Sequence, residues 1–280
     1  MPYMWLVEKG DNGFIHGIEK TGEGAQDAAN RCLAELKRAG GGYALHGPYL
    51  SSEFDTAEGA ERCFERLMAR PDGRSLVAFV DGGLRGQIDK SCLGVGIAIY
   101  DNVLPADLWP EDGTDGCEAD SCDGPELIRT HSTAIKNYAV DTSLNDAAEY
   151  YGAEFAIDLA RSLRRSTVPE GEQKGLVIAY DNIGVALFAV GFWKASKPSS
   201  KAYAEFLSTI PEDFPLYFFH IKSHEAEGKA AASFAQCGNN IADTLATLAI
   251  VAYDCSSCGK ALTLRKQAEQ LSQTIHGEES

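Results

Sequence analysis

Two uninterrupted apolar runs, each ending in an aspartate, constrain this chain more than any other feature. Leu76-Val-Ala-Phe-Val80 runs into Asp81, and Leu176-Val-Ile-Ala-Tyr180 runs into Asp181. A run with no polar alternation suits a strand buried on both faces, the setting of a sheet covered by helices above and below. Gly94-Val-Gly-Ile-Ala-Ile-Tyr100 reads as a second strand, the span 127–140 holds a third and more polar one, and 215–222 a fifth. Helical spacing covers 145–163, with Ala148, Tyr151, Phe155 and Leu159 as the inward stripe, then 183–190, 199–207 and 240–253. Three strands, helix, strand, helices, strand, helix make a mixed five-stranded α/β sheet flanked by helices.

Residues 1–70 read as a separate small α+β unit. Strands are expected at 3–7 and 14–18, and a helix at 26–39 that stops in Gly40-Gly-Gly42. A turn at Gly47-Pro48-Tyr49 then leads to a helix through Leu67, with Asp55 as its cap and Glu58 as the acidic half of a capping box. Pro71-Asp-Gly73 is the linker to a second domain over 75–254, and 255–280 is a polar, loosely attached tail.

Composition narrows the class. Hydrophobic residues at 44% and charged residues at 24% allow a core and exclude a disordered chain. No stretch approaches the roughly 18 apolar residues of a membrane span. The first residues lack the apolar run of a secretion signal, so a cytoplasmic protein with no membrane partner is expected. Lys and Arg number 25 against 41 Asp and Glu, a net charge of −16. That balance disfavours proteins that hold nucleic acid mainly by counterion release, although a net number does not describe one local face. The eight cysteines are expected to be reduced, most of them small buried hydrophobes.

Acids at strand ends and on core-facing helix positions are costly to desolvate and call for a reason. Asp81 and Asp181 end the two apolar runs, Glu149 lies on the first large helix, and Asp243 stands near the start of the last. Taken singly, each suits an aspartate or glutamate satisfied by backbone amides. Taken together, one sheet could gather all four, and clustered carboxylates suit hard divalent cations of the kind that act in pairs in phosphodiester cleavage.

The same residues carry a family likeness. From about Leu76 to Ala252 the chain resembles type 1 ribonuclease H of the bacterial branch. Val80-Asp-Gly-Gly83 resembles its first-strand motif, Asn145-Asp-Ala-Ala-Glu149 its helix start, and Ala179-Tyr-Asp-Asn-x-Gly184 with Gly191-Phe-Trp-Lys-Ala195 its third block. His220-Ile-Lys-Ser-His224 and Gly238-Asn-Asn-Ile-Ala-Asp243 are similar to its last two. The resemblance implies a ribonuclease H-like fold that cuts the RNA strand of RNA–DNA hybrids, with Asp81, Glu149, Asp181 and Asp243 holding Mg²⁺, or Mn²⁺ in its place. His224 would move protons or help product leave. Gly82, Gly83, Asn145 and Asn239 would contact substrate, and Trp193 with Lys194 (beside Lys197 and Lys201) the phosphates of the DNA strand.

Residues 47–60 resemble the small hybrid-binding, viroplasmin-like domain that precedes many such nucleases. The stretch from His224 to Asp243 is longer than the family pattern, and with the acidic charge it supports an alternative: a catalytically inactive ribonuclease H-like module that binds nucleic acid or protein. A transposase or integrase is disfavoured by the four-acid pattern. Cys117 and Cys122 with Cys255 and Cys258 would close a Zn²⁺ site if the fold joins them; spacing by chance is the other reading. No thioredoxin-like strand precedes Cys255-x-x-Cys258, which disfavours a redox role.

Overall fold

The computed structural model describes residues 3–9, 13–39, 43–49, 56–84, 92–109, 124–136, 144–167, 175–211, 213–221, 233–253 and 267–268. The chain divides into two compact units, Met1–Arg70 with Ala186–Ser196, and Pro71–Val185 with Lys197–Ser280.

In the first unit, strands β1 (Tyr3–Lys9) and β2 (Gly13–Glu19), helix α1 (Gly22–Arg38), strand β3 (Tyr43–Tyr49) and helix α2 (Ala57–Met68) follow in order. The antiparallel sheet has the order β2-β1-β3. Its core joins Trp5 and Val7 to Ala25, Ala28 and Ala29 of α1. That helix begins at Gly22, earlier than its apolar spacing suggests, because Thr21 accepts the Gly24 N–H at 3.1 Å.

Strand β3 stands where the sequence predicts a turn. Gly47 and Pro48 are accommodated by a register shift opposite Met4 and Leu6, on an edge strand where a missing N–H is tolerated. The cap of α2 is Thr56, whose hydroxyl accepts the Gly59 N–H at 3.1 Å. Asp55, the expected cap, lies outside the described residues.

The second unit contains β4 (Ser75–Leu84), β5 (Cys92–Val103), α3 (Pro105–Leu108), β6 (Glu126–Lys136), α4 (Leu144–Thr167), β7 (Leu176–Tyr180), the start of α5 (Gly184–Ala189), α6 (Pro198–Ser208), β8 (Leu216–His220) and α7 (Phe234–Tyr253). Its five-stranded sheet has the order β6-β5-β4-β7-β8. The first three strands pair antiparallel, and β4, β7 and β8 run parallel. This is the mixed, helix-flanked α/β sheet expected from the alternation of buried runs and amphipathic stretches.

Alternation along β4 assigns its two faces. Val77 and Phe79 pack with Ile241, Ala242 and Leu245 of α7. Val80 lies 3.6 Å from the position a Cβ on Gly152 of α4 would occupy, on the opposite face. Helix α4 departs from its expected stripe: Ala153, Ala156, Ile157 and Ala160 are buried, whereas Phe155 is 37% exposed. Small residues face the sheet because the helix lies too close to it for large ones.

Helix α7 also starts earlier than expected. Gly238 lies inside the helix, where a Cβ would strike the Phe79 ring. At the other end of the chain, Ala268 is buried in the cluster that contains Leu108, Trp109 and Phe219, which corrects the expectation of a loosely attached tail at that point.

Candidate metal centre

Three side chains from three elements meet at the carboxyl ends of β4 and β7. Asp81 is the outgoing residue of the buried run of β4, Glu149 projects from the second turn of α4, and Asp181 follows the last residue of β7. One carboxylate oxygen of each lies within 4.8 Å of the others. Asp81 and Glu149 are buried, and Asp181 is half-buried. Asp243 of α7, on the exposed side of its helix, hydrogen-bonds to the Asp81 carboxyl and so joins the group through it. Three of the four acids singled out in the sequence therefore meet, and Asp243 reaches Asp81 alone among them.

Local packing explains why they can. A Cβ on Gly82 would lie 2.6 Å from the Glu149 amide nitrogen, so only glycine lets α4 approach the end of β4 here. Gly82 thus has a packing duty that its sequence motif does not disclose. Gly83 faces Ile250 of α7, with 3.1 Å between its Cβ position and the Ile250 Cδ1.

The arrangement is electrostatically unfavourable by itself. Burial, then the charges of Asp181 and Asp243 and the hydrogen bond that the protonated Asp81 donates to Asp243, push Asp81 up to about 8. Burial first, and then Asp81 and Asp181, hold Glu149 well above the ordinary carboxylate range. The Gly82 N–H opposes both shifts. Glu149 Oε2 is buried with no hydrogen-bond partner among the described residues. Repelling carboxylates with an unused buried oxygen fit a hard divalent cation, which would accept that oxygen and reverse the repulsion.

A pH dependence of stability follows. Asp81 holds its proton in the fold up to about pH 8 but only to about pH 4 when unfolded. A raised carboxyl pKa contributes stability that is complete below the unfolded value and is lost as pH rises through the folded one. Glu149 acts in the same direction. In chelator, the melting temperature is expected to fall from about pH 5 to about pH 8, and millimolar Mg²⁺ is expected to flatten that slope. Thermal scans with and without Mg²⁺ check it, and parallel slopes would contradict the site.

Three polar residues near the centre, which stand in the motifs and the basic patch read from the sequence, make contacts that those patterns do not disclose. Asn182 donates to Asp146 Oδ1 at 3.1 Å and accepts the Gly184 N–H at 3.0 Å. Lys197 Nζ lies 3.7 Å from Asp146 Oδ2. His220, at the end of β8, brings its Nε2 to 3.1 Å from the Asp181 carbonyl.

The other expected residues fall as follows. Asn239 is buried on α7, and its Oδ1 has no partner among the described residues. Asn145 lies in the first turn of α4, its side chain outside the description. Trp193 packs edge-to-face on Phe188 at 5.3 Å, Lys194 is exposed, and both belong to the first unit. His224, Cys117, Cys122, Cys255 and Cys258 lie outside the described residues. Among the described cysteines, Cys32, Cys63, Cys92 and Cys237 are in no disulfide. No described helix is long and apolar enough to cross a membrane.

No protein-family model and no curated protein matches the chain. Among solved structures, it is similar to the N-terminal RNase H domain of a Mycobacterium tuberculosis protein, solved as a fusion with maltose-binding protein. That match has 19% identity, 64% of this chain and 95% of that one, and TM-score 0.40. RNase H1 from the halophilic archaeon Halobacterium salinarum is 18% identical over 63% of this chain and 97% of its own, with TM-score 0.39. LC11-RNase H1, solved in complex with an RNA/DNA hybrid, is 18% identical over 63% and 96%, with TM-score 0.41. Scores this low carry no argument about activity, so the convergence of the carboxylates is what a functional reading rests on.

Proposed function

We propose that the chain is a type 1 ribonuclease H that hydrolyses the RNA strand of RNA–DNA hybrids internally, leaving 5′-phosphate and 3′-hydroxyl ends. The observation that supports it is the meeting of Asp81, Glu149 and Asp181 within 4.8 Å, with Asp243 bonded to Asp81. These four residues would hold Mg²⁺, or Mn²⁺ in its place. When bound, such cations lower the pKa of a coordinated water and neutralise charge at a phosphoryl group and its leaving oxygen.

The chain's own residues prepare that site. Asp81, buried on β4, and Glu149, buried on α4, would release their protons to water on holding the cation. Asp181 and Asp243, from β7 and α7, bring charge from the open side, where a phosphodiester would enter. His224 is assigned proton transfer or product release, a task suited to an imidazole titrating near neutrality. Gly82, Gly83, Asn145 and Asn239 are assigned to the RNA strand, whose 2′-hydroxyls line a wide minor groove. Trp193 and Lys194 are assigned to DNA phosphates.

Residues 1–70 are assigned as a viroplasmin-like hybrid-binding domain that raises the local concentration of duplex at the second domain. A cytoplasmic setting is part of the same reading, and a zinc clamp of Cys117, Cys122, Cys255 and Cys258 is a separate proposal that metal analysis of the purified protein tests.

With Mg²⁺, the protein is expected to cut the end-labelled RNA strand of a hybrid at internal positions and to spare the DNA strand, duplex DNA and duplex RNA. The net charge of −16 favours a second reading, an inactive binding module. Retention of hybrid on a filter without any cleavage would select it.

A further inference from the structure

Asp146 lies one turn ahead of Glu149 on α4, and its two carboxylate oxygens are engaged by different elements. Oδ1 accepts from Asn182 Nδ2 at 3.1 Å, and Oδ2 faces Lys197 Nζ at 3.7 Å. Asn182 directly follows Asp181. Its own Oδ1 accepts the Gly184 N–H, so the amide is held at both ends. One hydrogen bond therefore links the first turn of α4, one turn ahead of Glu149, to the residue after Asp181.

Both linked places are soft by construction. The first turn of a helix lacks intrahelical partners for its N–H groups, and Asp181 stands just beyond the hydrogen-bonded part of β7. Glu149 and Asp181 repel one another across the gap. The Asp146 charge adds to that repulsion, so its placement opposes the ionised cluster unless it does something else. An ordinary favourable role exists, an acidic side chain at a helix N-terminus. That role needs no contact with β7, whereas the Asn182 amide is oriented on both sides to make one.

Resting on the metal-centre reading above, we infer that Asp146 and Asn182 are a positioning pair: their hydrogen bond sets the separation of Glu149 and Asp181 and thereby the grip on a divalent cation. Neither residue touches the cation. Removing the link lets the two carboxylates relax apart. Outer-shell partners of metal ligands typically govern affinity by about 10- to 100-fold.

The test is a titration of the full-length protein with Mn²⁺ alone, free ion read by electron paramagnetic resonance, alongside thermal melting and hybrid cleavage kinetics. Asp146→Ala is expected to weaken Mn²⁺ binding about 10-fold and to raise the Mg²⁺ needed for half-maximal cleavage by the same factor, with the KM for hybrid unchanged. Asp146→Asn keeps an acceptor for Asn182 and is expected to bind Mn²⁺ nearly as wild type. Asn182→Ala should match Asp146→Ala, and the double variant should lose no more than either alone.

Equal Mn²⁺ affinity in Asp146→Ala and wild type overturns the inference, whether or not the wild type cuts hybrid. So does a pattern in which the Asn and Ala variants lose melting temperature alike with Mn²⁺ affinity unmoved, which is the helix-terminus role. A raised KM with unmoved Mn²⁺ affinity overturns it in favour of substrate contact, and a wild type that binds no Mn²⁺ overturns it with the metal centre. A wild type that binds Mn²⁺ and cuts no hybrid, with Asp146→Ala still the weaker binder, supports the pair while removing the nuclease reading.

Discussion

Asp81→Asn is expected to reduce hybrid cleavage by about 1,000-fold or more, equivalent to roughly 4 kcal/mol on the barrier, and at the same time to raise the melting temperature of the metal-free protein. The two effects have one cause. Asp81 is buried, pushed up to about 8, and faces the charges of Asp181 and Asp243. Asparagine has nearly the same shape and no charge to desolvate, and its amide can donate to the neighbouring carboxylates. Relief of even about 1 kcal/mol raises the melting temperature by about 2–4 °C in a domain of this size.

The order should reverse when metal is added. On the proposed reading Mg²⁺ would bind the folded wild type and stabilise it by mass action, while the variant would lack the Asp81 carboxylate as a ligand. Wild type is thus expected to melt below Asp81→Asn in chelator at about pH 8 and above it in millimolar Mg²⁺. A structural aspartate would lose stability under both conditions, and an inactive binding module would show no change in cleavage because it has none to lose. Calorimetry in chelator and in Mg²⁺, beside a cleavage assay, separates the three.

The elements read most directly from the sequence are those whose environment is uniform along their length. Strands β4 and β7 are covered on both faces, so every residue of Leu76–Val80 and of Leu176–Tyr180 is apolar and the acid that follows stands out. What was not legible depends on close approach between elements far apart in sequence. Phe155 occupies an apolar position by spacing, yet α4 meets the sheet through Ala148, Gly152 and Ala156, and the ring is left at the surface. The need for glycine at Gly238, inside α7, is visible only once the Phe79 ring is placed beside it. Pro48 reads as a turn until β3 is seen to be an edge strand with a register shift.

The site divides along the same line. Asp81 and Asp181 were visible because charge at the end of a buried run has few cheap explanations, and Glu149 and Asp243 because an acid on a core-facing helix is costly to desolvate. Asp146 and Asn182 were not, because each is an ordinary polar residue at a helix start or strand end. Only their hydrogen bond distinguishes them.

Gly96→Ala is expected to be the most damaging of the glycine substitutions on the sheet, because of what its small size permits. Gly96 is the cross-strand partner of Asp81 on β5. A Cβ at Gly96 would strike the carbonyl oxygen of Ala242 and the amide of Ala246, and one at Gly94 the carbonyl of Ala246. These are backbone atoms of a helix, so no side-chain rotation relieves the collision. Helix α7 is further tied to the sheet by Ser132, which donates to the Leu245 carbonyl at 2.7 Å. It would have to retreat as a body, and Asp243, next to Ala242, would leave Asp81 with it.

Overpacking of this kind costs about 1–3 kcal/mol, and a displacement of about 1 Å at a reacting site can cost about 100-fold in rate. Gly96→Ala is therefore expected to lose several degrees of melting temperature and about 100-fold in cleavage. Two other glycines calibrate the effect. At Gly83 the added carbon would meet the tip of the Ile250 side chain at 3.1 Å, a group that can turn away, so Gly83→Ala should be mild in melting temperature. At Gly73 nothing lies within 4 Å, and Gly73→Ala should be neutral. If Gly96→Ala matched Gly73→Ala in both melting and cleavage, helix α7 would not be seated on β5 through this glycine, and the account of how Asp243 reaches Asp81 would fall with it.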